Sequence, residues 1–336
     1  MIIKLLSPII TKLLKKSIKP IIVGGFVRDM LLHVESKDID IELFNVSSLN
    51  DVKETLQEFG SLNEVGKSFG VLKLSYHGVD IDFSLPRTEK KIAQGYCGFD
   101  VTCSGFLSYK EAAIRRDFTI NSIGYDVEKS QFLDPFNGVE DLQNSRLHYV
   151  NEKTFVEDPL RFFRAVQFSA RFNLKVSSEL FELLKNMVTQ NSLCELSNER
   201  IFIEFEKLFL KSKKPSIGLE LLKALHVEQS FNFFKRVFEH PLHVIDRVEK
   251  RELKIYFCTM LFYCSNIEEA MQSFTCNKEL IHSVVTIQKH TLHVMHKSLC
   301  DVDIQKLALH VELDDVINML NIFDFRSNFE QRVDAL

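Results

Sequence analysis

The sequence predicts an α+β chain with its strands at the front and helices behind. Two observations carry this. Between Ile21 and Leu85, apolar residues recur at every second position in short runs broken by glycine turns, the period of half-buried strands. Beyond about residue 145 they recur at helical spacing, for example at Phe202, Phe205 and Phe209 and at Leu253, Phe257 and Leu261. At 336 residues the chain is long enough for two or three domains with separate cores.

Composition narrows the function. Forty-two basic and 46 acidic residues give a net charge of −4, so nucleic-acid binding requires a local basic patch. The seven cysteines include no C-x-x-C pair, which points away from zinc and disulfides and toward reduced thiols in the cytoplasm. No apolar run is long enough to span a membrane. The first 20 residues hold five lysines and no acid. They are expected to form a helix beside the first strand, a targeting or membrane-surface helix being the alternative.

Ile21-Ile22-Val23 reads as a short buried strand, Gly24-Gly25 as a tight turn, and Phe26 to Leu32 as a helix carrying Arg28 and Asp29. Backbone N–H groups at such a turn suit a phosphate. Lys37 to Ile41 resumes a strand, with Asp38 and Asp40 on one face and Ile39 and Ile41 on the other. Adjacent carboxylates repel, and a hard divalent cation relieves the repulsion; a solvated strand face would carry the same pattern. Val71–Tyr76, His77-Gly78 and Val79–Leu85 read as a hairpin, placing Asp80 and Asp82 on one strand face. Residues 86–110, with Gly95 and Gly98, read as a mobile loop.

Glu111 to Ser122 reads as a helix on which adjacent Arg115 and Arg116 diverge, Arg116 toward a ligand and its neighbour toward an acid. Surface ion pairs are the plainer alternative. Asp134-Pro135-Phe136-Asn137-Gly138 reads as a turn into a short helix. Asp158-Pro159 then opens a helix on which Asp158 and Arg161 are neighbours, followed by Arg164. A helix N-cap and surface charges would account for these three. The chemistry also suits a base: a carboxylate accepts from the exocyclic amine of cytosine or adenine, while a guanidinium donates to acceptors on the same edge. Uracil and guanine place a carbonyl where the amine would be, and the carboxylate rejects them.

The order of Gly24-Gly25-Phe26-Val27-Arg28-Asp29, Asp38-Ile39-Asp40, Arg115-Arg116-Asp117-Phe118-Thr119-Ile120-Asn121-Ser122 and Glu157-Asp158-Pro159-Leu160-Arg161 resembles that of the DNA polymerase β-like nucleotidyltransferases. In particular it resembles the class II tRNA nucleotidyltransferase and bacterial poly(A) polymerase family. The Arg87-Thr88-Glu89-Lys90-Lys91 stretch is most similar to its bacterial CCA-adding members, and at this place the family has a flexible loop that helps switch between nucleotides. The resemblance spans about residues 20 to 210 and fades beyond.

It implies a catalytic head with a small mixed or antiparallel sheet at 1–145, a helical neck that selects the base at 146–210, and a helical, tRNA-binding body and tail at 211–336. It implies Mg²⁺ on Asp38 and Asp40, with Asp82 as a third ligand. The nucleotide would be held by Gly24, Gly25, Arg28, Arg116 and Arg164, with Asp158 and Arg161 choosing the base. The expected reaction is addition of C and A from CTP and ATP to the tRNA 3′ end. A poly(A) polymerase, a split CC- or A-adding enzyme and an inactive RNA-binding module remain the alternatives. Relatives often carry an arginine where this chain has Gln167, which leaves one phosphate contact open. Ser197 is expected to cap the next helix, with Arg200 and Glu204 following. Lysines and arginines from Lys207 to Arg251 supply a basic surface, and His290, His293 and His296 share one helix face without a matching acid or cysteine.

Overall fold

A computed structural model describes residues 2–65, 70–91, 99–297, 299–325 and 328–335. It divides into two compact units, Met1–Asp158 and Pro159–Leu336.

In the first unit, α1 (Ile2–Leu5) and α2 (Ser7–Lys15) precede β1 (Lys19–Val23), α3 (Gly25–Leu31), β2 (Asp38–Phe44) and α4 (Asn50–Gln57). Next come β3 (Leu62–Val65), β4 (Val71–Tyr76), β5 (Val79–Ser84), β6 (Arg87–Lys91) and β7 (Phe99–Cys103). The unit ends with α5 (Tyr109–Ala113), β8 (Gly124–Asp126), β9 (Gln131–Leu133), α6 (Gly138–Gln143) and α7 (Glu152–Glu157). Among the described residues, seven strands form one sheet in the order β3-β4-β5-β2-β1-β8-β9. The β2–β5 pair is parallel and β1–β2 and β4–β5 are antiparallel, so the sheet is mixed, as expected for the head.

Its core lies on one face. Ile39, Ile41 and Leu43 of β2 pack there with Ile22, Leu72, Ile81 and Phe83, and α2 adds Ile9, Ile10 and Leu13. Each such side chain contributes roughly 1.5–3 kcal/mol on burial. The lysine-rich N-terminal segment is therefore a packed helix of this core. Alternation along β2 leaves Asp38, Asp40 and Glu42 on the opposite face.

Two expectations are corrected. The stretch 86–110 is not wholly irregular, because β6 and β7 pair as an antiparallel ribbon from Arg87 opposite Cys103 to Lys91 opposite Phe99. Gly95 and Gly98 lie outside the described residues. Nor is 111–122 one helix. α5 starts at a Ser108–Glu111 capping box and stops at Ala113, and Thr119–Asn121 forms a separate 3₁₀ turn. The Asp117 carboxylate accepts from the Phe118 N–H at 2.8 Å, giving the backbone a local alternative to the helix.

The second unit is helical apart from a two-residue strand at Lys175–Val176. It contains α8 (Leu160–Phe172), α9 (Ser178–Thr189), α10 (Asn198–Lys211), α11 (Ser216–Ala224), α12 (Phe234–Phe238), α13 (Leu253–Leu261), α14 (Ile267–Gln272), α15 (Lys278–His296), α16 (Asp301–Ala308), α17 (Leu313–Ile322) and α18 (Phe329–Asp334). Its interior explains the phenylalanine-rich composition. Phe205 meets Phe163, Phe234 and Phe274, while Phe209 stacks on Tyr256 with centroids 5.1 Å apart. A second apolar cluster, around Ile304, Val316 and Leu320, holds the last helices together. No helix among the described residues is long and apolar enough to cross a membrane.

Candidate active site

The centre of the site is a register match. β2 and β5 run parallel with Asp38 opposite Asp80 and Asp40 opposite Asp82. Parallel neighbours lie about 4.8 Å apart, so Asp40 and Asp82 present carboxylates side by side on the face away from the core. The pKa of Asp40 is raised, first by partial burial and then by Asp82, Glu42 and Asp38, against the opposing pull of Arg116. Asp82 Oδ2 accepts from Lys73 Nζ at 2.7 Å, and Asp80 Oδ1 from Ser75 Oγ at 2.8 Å.

Among the described residues, no three His, Cys, Asp or Glu side chains form a metal-holding cluster. Asp40 and Asp82 nevertheless suit a divalent ion in kind. They are hard oxygen donors, the first of them crowded by neighbouring acids, and Mg²⁺ usually takes one or two carboxylates and completes its shell with phosphate and water. Lys73 is the local counter-ion that a metal at Asp82 would displace.

Gly24 borders Asp40. It adopts φ +74°, a conformation that favours glycine, and a Cβ there would lie 3.3 Å from Arg116 Nη1 and 3.5 Å from Asp40 Oδ2. Gly25 starts α3, and a Cβ on it would lie 3.5 Å from Arg28 Nη2.

Arg28 has a different place from the one expected. It is 4% exposed, with Nε 2.9 Å from Asp29 Oδ1 and Nη1 2.6 Å from Asn121 Oδ1. Asn121 in turn donates to Asp117 Oδ1 at 3.0 Å, so Arg28 ties α3 to the segment after Arg115-Arg116. Its observed contacts bind the site's walls together. Thr119 Oγ1 donates to Asp141 Oδ2 at 2.7 Å and anchors the same segment to α6.

Arg115 and Arg116 converge instead of diverging. Arg115 Nη2 and Arg116 Nη2 lie 3.1 and 2.9 Å from Glu42 Oε1. Both residues lie beyond the end of α5, so helical angular spacing does not govern them. Arg115 Nη1 also reaches Glu89 at 3.1 Å, and Glu89 accepts from Arg87 Nε at 2.8 Å. Burial and the neighbouring Arg116 and Arg87 push the Arg115 guanidinium down to about 10. Glu42 escaped the sequence reading, although continuing the Asp38, Asp40 alternation by two residues reaches it.

Asp158 and Arg161 do not share a helix. Asp158 ends α7 with extended backbone, φ −115° and ψ 100°, and α8 begins at Leu160. A residue before proline is driven out of the helical region, and Asp158 precedes Pro159. Arg161 and Arg164 occupy partly open positions on α8 among buried Phe162, Phe163, Ala165 and Val166. The Arg164 guanidinium lies 5.4 Å from the Phe168 ring centroid. Gln167 is 1% exposed, its Nε2 without a hydrogen-bond partner, so it does not stand in for a solvent-facing phosphate ligand.

Ser197 precedes α10 as expected, but its side chain makes no capping bond. Glu204 is buried and pairs with Lys207 at 2.8 Å. Several residues of the expected basic surface are ion-paired: Arg236 with Glu239, Arg247 with Asp324, and Lys250 with Asp315. His290 stacks near His310, with centroids 6.1 Å apart.

Comparison with known proteins places this geometry. Residues 21–148 match the poly A polymerase head domain, and residues 173–232 match the probable RNA- and SrmB-binding site of polymerase A. The multifunctional CCA protein of Aliivibrio salmonicida is 38% identical over 207 residues, 60% of this chain and 48% of that protein. The CCA-adding enzyme of Actinobacillus succinogenes is 32% identical over 71% of this chain and 61% of its own length. That of Francisella tularensis subsp. tularensis is 31% identical over 281 residues, 80% of this chain and 74% of the relative. The chain thus spans from about half to three quarters of these relatives.

Among solved structures, an apo CCA-adding enzyme superimposes with a TM-score of 0.75 at 22% identity, covering 99% of this chain and 82% of the other. A Thermotoga maritima CCA-adding enzyme complexed with tRNA gives 0.71 at 21%, covering 99% and 80%. These two likenesses establish the fold. Because the head-domain match takes in the glycine turn, the Asp38–Asp40 strand and the arginine segment, and the Francisella relative extends the similarity well past them, the chain belongs to the class II tRNA nucleotidyltransferase and poly(A) polymerase family.

Proposed function

We propose that this protein adds C and A to the 3′ end of tRNA, using CTP and ATP and releasing pyrophosphate. The observation that carries the reading is the pairing of Asp40 with Asp82 beside Gly24 and Arg116, within a chain whose relatives are named CCA-adding enzymes. Nucleotidyltransferases of this family generally use divalent metals. Mg²⁺ is the ion proposed here, held by Asp38 and Asp40 with Asp82 as third ligand. When bound, it lowers the pKa of the RNA 3′-hydroxyl and stabilises the departing pyrophosphate.

The chain's own groups do the rest. Gly24 and Gly25 let the triphosphate approach the backbone, and Arg116 and Arg164 offset its charge. Arg28 holds α3 and the Asn121 segment in place around it. Asp158 and Arg161 accept and donate along the base edge that cytosine and adenine share in pattern, and leave UTP and GTP with unpaired groups. Residues 1–145 act as the head, 146–210 as the base-selecting neck and 211–336 as the tRNA-binding body and tail, working in the cytoplasm.

The deciding experiment incubates purified protein and Mg²⁺ with tRNA transcripts ending before CCA, after C and after CC, with single labelled nucleotides. Addition of two C and one A followed by a stop is expected. A long A-only tail makes the protein a poly(A) polymerase, and CC alone or A alone makes it a split enzyme. No incorporation by folded protein leaves an RNA-binding module.

A further inference from the structure

We infer that Glu42 is a positioning residue for the nucleotide triphosphate, clamping Arg115 and Arg116 so that both guanidinium groups face one polyanion. The inference rests on the nucleotidyltransferase reading above and refines the chemistry of that site. Glu42 follows Asp38 and Asp40 on the same strand face, yet it is 2% exposed. A single oxygen, Oε1, accepts from both arginines at 3.1 and 2.9 Å, while Oε2 is buried without a hydrogen bond.

Two guanidinium groups this close repel each other, and one carboxylate between them cancels half of their charge. The trio keeps one net positive charge, and with Glu89 and Arg87 joined to it the set of three guanidinium groups and two carboxylates still carries one. One end of the trio abuts Gly24 and Asp40, and the other reaches Glu89 on β6. Burying three charged groups contributes little net stability, because desolvation offsets the attraction. A glutamate that holds the Arg116 guanidinium at the glycine turn instead suits a triphosphate, whose binding benefits when its cationic partners are already in place.

Without the charge of Glu42 the two arginines separate, and the incoming triphosphate must reassemble them. Since CTP and ATP share the triphosphate, both are affected alike and the choice of base is not. Steady-state kinetics of single-nucleotide addition on the Glu42→Gln protein test this. KM for CTP and for ATP is expected to rise together by about tenfold or more, the scale of a lost charge-assisted hydrogen bond. The expected kcat stays within about threefold of wild type, and discrimination against UTP and GTP stays unchanged. Glu42→Asp, which retains the charge one methylene short, is expected to recover part of the loss. If Glu42→Gln does not fold, Glu42→Asp is measured the same way and an intermediate rise in KM is expected.

An unchanged KM in whichever folded variant is measured overturns the inference, as does a fall in kcat alone or a KM rise for only one nucleotide. A wild type that incorporates both nucleotides while Glu42→Gln matches it removes this inference and leaves the proposed function standing. A wild type that incorporates neither removes both.

Discussion

Asp40 and Asp82 stand opposite each other on parallel strands, two carboxylates on one face with Arg116 bearing on the first and Lys73 on the second. The charge of Asp40 is poorly accommodated in the protein alone. Because the folded pKa of Asp40 is raised, the folded protein binds more protons than the unfolded chain between the ordinary carboxylate value and the raised one. Stability therefore increases as pH falls through that window, the reverse of an ion-paired carboxylate. Asp40→Asn is expected to abolish nucleotide addition, by about a thousandfold or more, while raising Tm in EDTA by about 1–2 °C. Mg²⁺ is expected to raise the Tm of wild type and not of the variant; thermal melts with and without the ion check this.

Lys73 is half exposed and competes with any cation at Asp82. Its own pKa is raised, first by the hydrogen bond to Asp82. Lys73→Ala is expected to lower the Mg²⁺ concentration for half-maximal activity by about two- to fivefold, the scale of an exposed ion pair. A metal titration giving an unchanged or higher requirement would remove Asp82 from the ligand set.

Arg28 is expected to act on stability before activity. Arg28→Ala strands the buried Asp29 carboxylate and Asn121, at a cost of about 3 kcal/mol or more. Urea unfolding measures it, and a variant as stable as wild type would make the buried contacts incidental.

Base choice provides a separate test. Asp158→Ala and Arg161→Ala are expected to keep the fold and to reduce discrimination between CTP and UTP by about tenfold to a hundredfold. Misincorporation assays on a transcript ending before CCA read the ratio directly. Retained discrimination in both variants would place base selection elsewhere.

Gln167, at the position where the family resemblance led to the expectation of an arginine, is buried. Gln167→Arg would bury a guanidinium at a site that is 1% exposed. A loss of about 3 kcal/mol or more is expected, visible as a lower melting temperature. An undiminished Tm with tighter nucleotide binding would show that the position opens toward phosphate after all.

The strands were legible because alternation and burial agree: the hairpin from Val71 to Ser84, with its turn at His77-Gly78, lies where periodicity puts it. The pairing of Asp40 with Asp82 was harder to read, since no local signal specifies which strands become parallel neighbours. The 86–110 ribbon was hidden by its charged, glycine-containing sequence, and only pairing reveals it. The arginines were misread through a helix that stops at Ala113, before either of them, and Asp158 through a proline whose effect falls on the residue before it. Glu42 looked like one more surface acid. Its burial depends on two cations brought in from more than seventy residues away.

β2 ties the assembly of the site to the assembly of the core. Its inward residues, Ile39, Ile41 and Leu43, are at most 1% exposed, and its acids occupy the alternate positions. A slip of one residue against either neighbour would thrust aspartates into the apolar interior and turn the isoleucines out to water. Misthreaded chains are thus penalised twice, and the same geometry that arms the strand for chemistry acts as a check on its own folding.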